Sequence, residues 1–218
     1  MNARSYLTSL AWMFLIGWNG LNHAAERPNI ILMLSDDQGW NGLSVAMHPE
    51  VAASKGDIFH TPNLEKLAGQ GMRFSSAYAP APVCSPTRIS IQTGKSPAQL
   101  HWTKAAPAVP NQKLVEPKLI KDLSANETTI AELLKMAGYT TAHYGKWHIG
   151  GGGPGAHGYD EHDGDTGNEN AFKFADQIQS IFLGMAERAA AFMKKASKPG
   201  RPFTYSSHGM HSMRQNLP

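Results

Sequence analysis

Few features restrict the fold of this chain as tightly as the apolar run Ile30-Ile31-Leu32-Met33-Leu34, with Pro28-Asn29 before it and Asp36-Asp37 after it. So short and unbroken a run, bounded by turn formers, reads as a strand buried on both faces of a parallel sheet. In open α/β sheets, ligands bind beyond the carboxyl ends of the strands. Asp36 and Asp37 stand at such an end. Two adjacent carboxylates repel each other, and a hard divalent cation relieves that repulsion through oxygen ligands. A solvated turn is the competing reading of an Asp-Asp pair, and the buried strand in front of it weighs against that.

The remaining chain alternates strand and helix patterns. Thr61-Pro62-Asn63-Leu64 opens a helix, with Thr as cap and Pro in the first turn, closed by Gly69 and Gly71. Residues 72–75 read as a returning strand, and 77–83, with two prolines, as an extended approach to Cys84. A helix follows over 86–93 and ends at Gly94. Residues 100–123, rich in Pro and Lys and without a period, read as a surface excursion. Thr129-Ile130-Ala131-Glu132 forms a capping box. Ile130, Leu133, Leu134 and Ala137 make a stripe for core packing, with Gly138 as the stop. Residues 139–144 are a strand by composition, ending in Gly145-Lys146-Trp147-His148. The glycines at 150–153 free the backbone, and no helix pattern opens from them, so they are not a dinucleotide fingerprint. Ile178, Ile181, Phe182, Met185, Ala189, Phe192 and Met193 predict an amphipathic helix over 176–196. Phe203-Thr204-Tyr205 is a short strand, followed by His208 and His211. This order argues for an α/β domain with a mostly parallel central sheet flanked by helices.

A formal charge of +3 over 218 residues gives no electrostatic case for nucleic acid, and 41% hydrophobic residues suffice for a core. Residues 1–25 read as a cleaved signal peptide: Arg4 supplies the positive end, residues 7–18 the apolar stretch, and His23-Ala24-Ala25 the small residues for cleavage. The stretch is short for a membrane span of roughly 20 residues, and no later segment is long enough for one. The expected location is therefore exported, periplasmic or secreted. Asn126-Glu127-Thr128 matches a glycosylation acceptor.

Export gives weight to the sole cysteine, Cys84, which has no partner for an intramolecular disulfide. Pro86 suits the first turn of a helix, and Arg88 returns to the same face one turn after Cys84. A thiol at a helix N-terminus beside a permanent cation can hold an anion. A phosphatase loop would need arginine where Ser90 stands. A phosphate-binding P-loop ending at Gly94-Lys95-Ser96 would need glycine where Ile89 stands. The local signature of a papain-like protease is missing.

What remains, Cys84-Ser85-Pro86-Thr87-Arg88 followed by Thr93-Gly94-Lys95, resembles the signature of the formylglycine-dependent sulfatases of the alkaline-phosphatase-like superfamily. Further matching pieces occur in family order: Pro28-Asn29-Ile30 through Asp36-Asp37, Thr61-Pro62-Asn63-Leu64, Gly138-Tyr139 through Gly150, His157-Gly158-Tyr159-Asp160, and the strand before His211. The resemblance implies an alkaline-phosphatase-like α/β fold. It implies that Asp36, Asp37 and the Cys84 side chain bind a divalent cation, usually Ca2+. Cys84, converted to formylglycine by a formylglycine-generating enzyme or its equivalent, would attack sulfur as the hydrate and expel the alcohol. Loss of sulfate would then restore the aldehyde. Arg88 would hold that side chain, Lys146 would bind sulfate oxygens, and His148 would assist release of sulfate. His211 would contact sulfate near the leaving oxygen, with His208 as its substitute. The substrate would be a sulfated small molecule or carbohydrate. By the same resemblance, residues 26–218 are the N-terminal part of the catalytic domain. A later Asp-Asn strand and a second sulfate-binding lysine are missing, which implies a truncated enzyme with impaired turnover. Two alternatives stand beside it: an inactive secreted remnant that binds sulfated ligand or metal, and a related phosphoryl-transfer hydrolase, which would normally carry Ser or Thr in place of Cys84.

Overall fold

A computed structural model describes residues 27–105, 109–111, 113–168, 178–197 and 202–210. The signal peptide expected over 1–25 and the histidine expected at 211 lie outside them. The sheet has strands β1 (Ile30–Asp36), β2 (Thr140–Gly145), β3 (Glu161–His162) and β4 (Phe203–Met210) in the order β1-β4-β2-β3, every neighbouring pair parallel. Helices α1 (Pro62–Gln70), α2 (Cys84–Thr93), α3 (Ile130–Met136) and α4 (Ile178–Ala196) lie between them in sequence. The expected parallel α/β arrangement is therefore present. The register matters for function. Asp36 pairs with Met210, and Gly145 with His208, so the carboxyl ends of β1 and β2 flank the end of the strand between them.

Burial falls differently from expectation. The strand buried on both faces is β2, where residues 141–145 are all buried. β1 is an edge strand, and Met33 is 63% exposed. Among the described residues β1 pairs only with β4, so its apolar run has a neighbour on one edge only. One core cluster joins Ile89 of α2 to Leu100, Trp102, Leu123, Ala131, Trp147, Ile149 and Tyr159. A second packs Ala189 and Phe192 of α4 on Ala142, Tyr144 and Phe203.

Segment 100–123 is thus no plain surface excursion. Its ends are buried through Leu100, Trp102 and Leu123, while Leu114 and Val115 between them are exposed. α3 has the expected capping box, Thr129 accepting from the Glu132 amide and Glu132 accepting from the Thr129 amide. The expected stripe, however, is not its inner face. Ile130 and Leu133 are exposed, and the small Ala131 is the buried residue. The reason is close approach: a Cβ at Gly158 would sit 2.7 Å from the Glu132 amide nitrogen, so the first turn of α3 lies on the backbone at 158. α1 buries no residue, and the Thr61 side chain bonds Ser44 instead of capping the helix. Residues 72–75 form no strand, and Met72 and Phe74 are exposed.

Candidate active site

α2 begins two residues earlier than expected, so Cys84 is its first residue, with Val83 extended as the cap. The Thr87 hydroxyl donates to Ala81 O at 2.7 Å and ties the extended approach to the helix. Gly94, at φ 68°, closes the far end with its amide on Ser90 O. The Cys84 thiol is half-buried and free. Arg88, one turn on, is 1% exposed.

Arg88 and Lys146 meet at Asp36. Lys146 Nζ donates to Asp36 Oδ2 at 2.6 Å, and Arg88 Nη2 lies 3.2 Å from Asp36 Oδ1, outside hydrogen-bonding alignment. Arg88 Nη1 donates to the Lys146 carbonyl at 2.5 Å. All three side chains are buried. Burial pushes the Asp36 carboxyl up, but the Lys146 hydrogen bond and the charges of Arg88 and Lys146 outweigh it and hold it below the usual range. Arg88 keeps spare capacity: its Nε has no hydrogen-bond partner among the described residues, and Nη2 has only the ion pair with Asp36. A buried guanidinium with open donors is suited to an anionic oxygen.

A cleft of about 220 Å³ opens beside this trio, walled by residues 34–38 on one side and by 79, 81–84, 87 and 88 on the other. Asp37 lines it, exposed and at φ 56°. His148 follows the Lys146 turn, half-buried and at φ 58°. Burial, then the charges of Lys146 and Arg88, lower its pKa, which favours the neutral imidazole. His148 Nδ1 has no partner among the described residues. Asp36, Asp37, Cys84 and Arg88 thus share one cleft, with Lys146 bonded to Asp36. His208 lies on β4 in register with Leu34 and Gly145, and His211 is outside the described residues.

The donors for a divalent cation fit in kind but not in number. Asp36 and Asp37 offer hard carboxylate oxygens, yet both Asp36 oxygens already face cations. Among the described residues no group of three or more His, Cys, Asp or Glu could hold a metal ion. These residues alone do not make a calcium cage.

The sulfatase family matches residues 28–214. The chain belongs to the sulfatase family. It is 40% identical to arylsulfatase G of Rattus norvegicus over 126 residues, 58% of this chain and 21% of that protein. It is 38% identical to N-acetylgalactosamine-6-sulfatase of Mus musculus over 128 residues, 58% of this chain and 23% of that protein. The chain thus spans about a fifth of the length of these curated relatives. Among solved structures, that of Ps i-CgsB in complex with k-i-k-neocarrahexaose matches with a TM-score of 0.65 at 23% identity, over 88% of this chain and 46% of that one. BT4656 in complex with its substrate D-glucosamine-2-N,6-O-disulfate matches with a TM-score of 0.61 at 23% identity, over 88% and 36%. The parallel α/β fold is therefore one that these two solved structures share.

Proposed function

We propose that this chain carries the nucleophile and the main cations of a sulfuric ester hydrolase site, with a sulfated carbohydrate or small molecule as substrate. The observation that supports this most directly is the convergence of Arg88 and Lys146 on Asp36 beside Cys84. Cys84 is the residue converted to formylglycine, by a formylglycine-generating enzyme or an equivalent. A free, half-buried thiol in the first turn of α2, facing a cleft, fits that modification. Hydrated formylglycine supplies an oxygen nucleophile for the sulfur of the ester.

The surrounding residues supply orientation and charge. Asp36 fixes Lys146 and Arg88 and offsets part of their charge. The open donors of Arg88 hold the oxygen at position 84, and Lys146 faces the non-bridging sulfate oxygens, where negative charge builds during transfer. The neutral His148, with Nδ1 unpartnered, accepts a proton from the side chain at position 84 as sulfate leaves. His211 is the proposed contact near the leaving oxygen. Asp36, Asp37 and residue 84 are the proposed donors to a divalent cation, calcium. They fall short of the roughly six to eight oxygens that Ca2+ prefers. Residues 1–25 are the proposed export signal, and residues 26–218 the N-terminal part of the catalytic domain. Among the described residues no helix is long and apolar enough to cross a membrane.

Mass spectrometry of the peptide spanning Cys84, from protein co-produced with a formylglycine-generating enzyme, tests the reading. Replacement of CH2–SH by CHO is the expected result, and an intact thiol throughout overturns it. Any hydrolysis of a generic aryl sulfate should vanish in Cys84→Ala.

A further inference from the structure

The Lys146–His148 turn leaves the sheet and buries a lysine against Asp36, with Trp147 set in the core. Gly145 stands at φ 91° and His148 at φ 58°, the latter a region uncommon for side chains other than glycine. Apart from the Lys146 carbonyl, which accepts from Arg88 Nη1, the backbone groups of Gly145 and the Trp147 and His148 N–H groups find partners in one remote segment. Gly145 N–H donates to Asp163 Oδ2 at 2.8 Å. The Thr166 hydroxyl donates to Gly145 O at 2.6 Å and accepts from Trp147 N–H at 3.0 Å. The Thr166 carbonyl accepts from Trp147 N–H at 3.0 Å and from His148 N–H at 2.7 Å. Thr166 is itself buried. The same Asp163 oxygen takes Arg188 Nη2 of α4 at 2.8 Å.

We propose that Thr166 is a positioning residue of the candidate site: its hydroxyl, with the Asp163 carboxylate, sets the turn that delivers Lys146 to Asp36. The hydroxyl spends both its donor and its acceptor capacity on this turn. The role in catalysis rests on the sulfuric-ester reading of Lys146, whereas the geometric claim does not.

The distinguishing variants are Thr166→Val, which keeps shape and β-branching but loses the hydroxyl, and Thr166→Ser, which keeps it. Thr129→Val serves as control, because it removes another buried hydroxyl, one bonded to His157 O at 2.8 Å and to the α3 cap. The readout is amine acetylation by acetic anhydride, quantified at Lys146 against the half-exposed Lys135 on the whole folded chain. Lys146 labelling should rise roughly tenfold in Thr166→Val, on the scale of a lost buried hydrogen bond, and stay within about twofold of wild type in Thr166→Ser and Thr129→Val. Equal protection in Thr166→Val, or equal exposure in Thr129→Val, overturns the proposal. Calorimetric binding of inorganic sulfate forms a second arm. If wild type binds, Thr166→Val should weaken binding roughly tenfold and Thr166→Ser restore it. If wild type does not bind, the sulfuric-ester reading of Lys146 falls, while the labelling result still decides the role of Thr166.

Discussion

Replacing Asp36 with Asn tests the electrostatic centre of the site. The carboxylate is 7% exposed, with Lys146 at 2.6 Å and Arg88 at 3.2 Å. Asn keeps the shape but removes the charge that lets the two buried cations coexist. Losing one partner of a buried ion pair costs about 3–5 kcal/mol, because the remaining charge stays uncompensated. For a domain of this size that is on the order of 10 °C in Tm. The contrast is Glu127→Gln, which breaks the exposed Lys95–Glu127 pair at 2.6 Å and should cost less than about 1 kcal/mol. Urea unfolding followed by circular dichroism measures both. The double variant Asp36→Asn with Lys146→Met should regain part of the loss, since it removes one stranded cation and keeps the apolar stem. If Asp36→Asn is as mild as Glu127→Gln, or the double variant no better than the single, the trio is not held by charge.

Two glycines with similar backbone conformations should respond unequally to alanine. Gly158 is at φ 91° with Glu132 backbone and side-chain atoms 2.7 Å from where a Cβ would lie, so strain and overlap together should cost about 3 kcal/mol in thermal or urea unfolding. Gly94 is at φ 68° with nothing within 4 Å, and should lose only the conformational term, about 1 kcal/mol; equal losses would refute the close approach of α3. His143 should set a pH slope. Burial, then the Arg88 charge, pulls its pKa down to about 3, while the unfolded chain protonates near 6.5. The unfolded state therefore binds the extra proton between these values, and stability falls as pH drops through that window by about 1.4 kcal/mol per unit. Urea unfolding at stepped pH should show that slope weakened in His143→Phe; an unchanged slope would mean His143 titrates normally in the fold.

The elements were legible where local chemistry decided them. Thr129 and Glu132 cap α3 as their spacing implies, and the four glycines at 150–153 all take positive φ. β4 shows why reading stops early. Its polar continuation, Ser206-Ser207-His208-Gly209, has no strand-like composition, yet β4 continues through it because β2 pairs with it as far as His208 and β1 as far as Met210. The α3 stripe misleads for a related reason. A helix that must touch backbone at Gly158 presents its smallest residue, Ala131, and no hydrophobic pattern marks that requirement.

The site was legible residue by residue but not as a unit. Lys146, taken alone, is equally a solvated surface lysine. It becomes a site residue because β1 and β2 run parallel on either side of β4, which sets Asp36 and the Gly145 turn at one sheet edge. Charge then does the rest: neither cation could be buried without Asp36, and Asp36 could not be buried without them. Such mutual dependence appears in sequence only as three unrelated residues 52, 58 and 110 positions apart. Thr166 was less legible still. Nothing in a polar, turn-rich stretch separates a hydroxyl that faces water from one that closes the turn behind Lys146, and only the fold shows which it is.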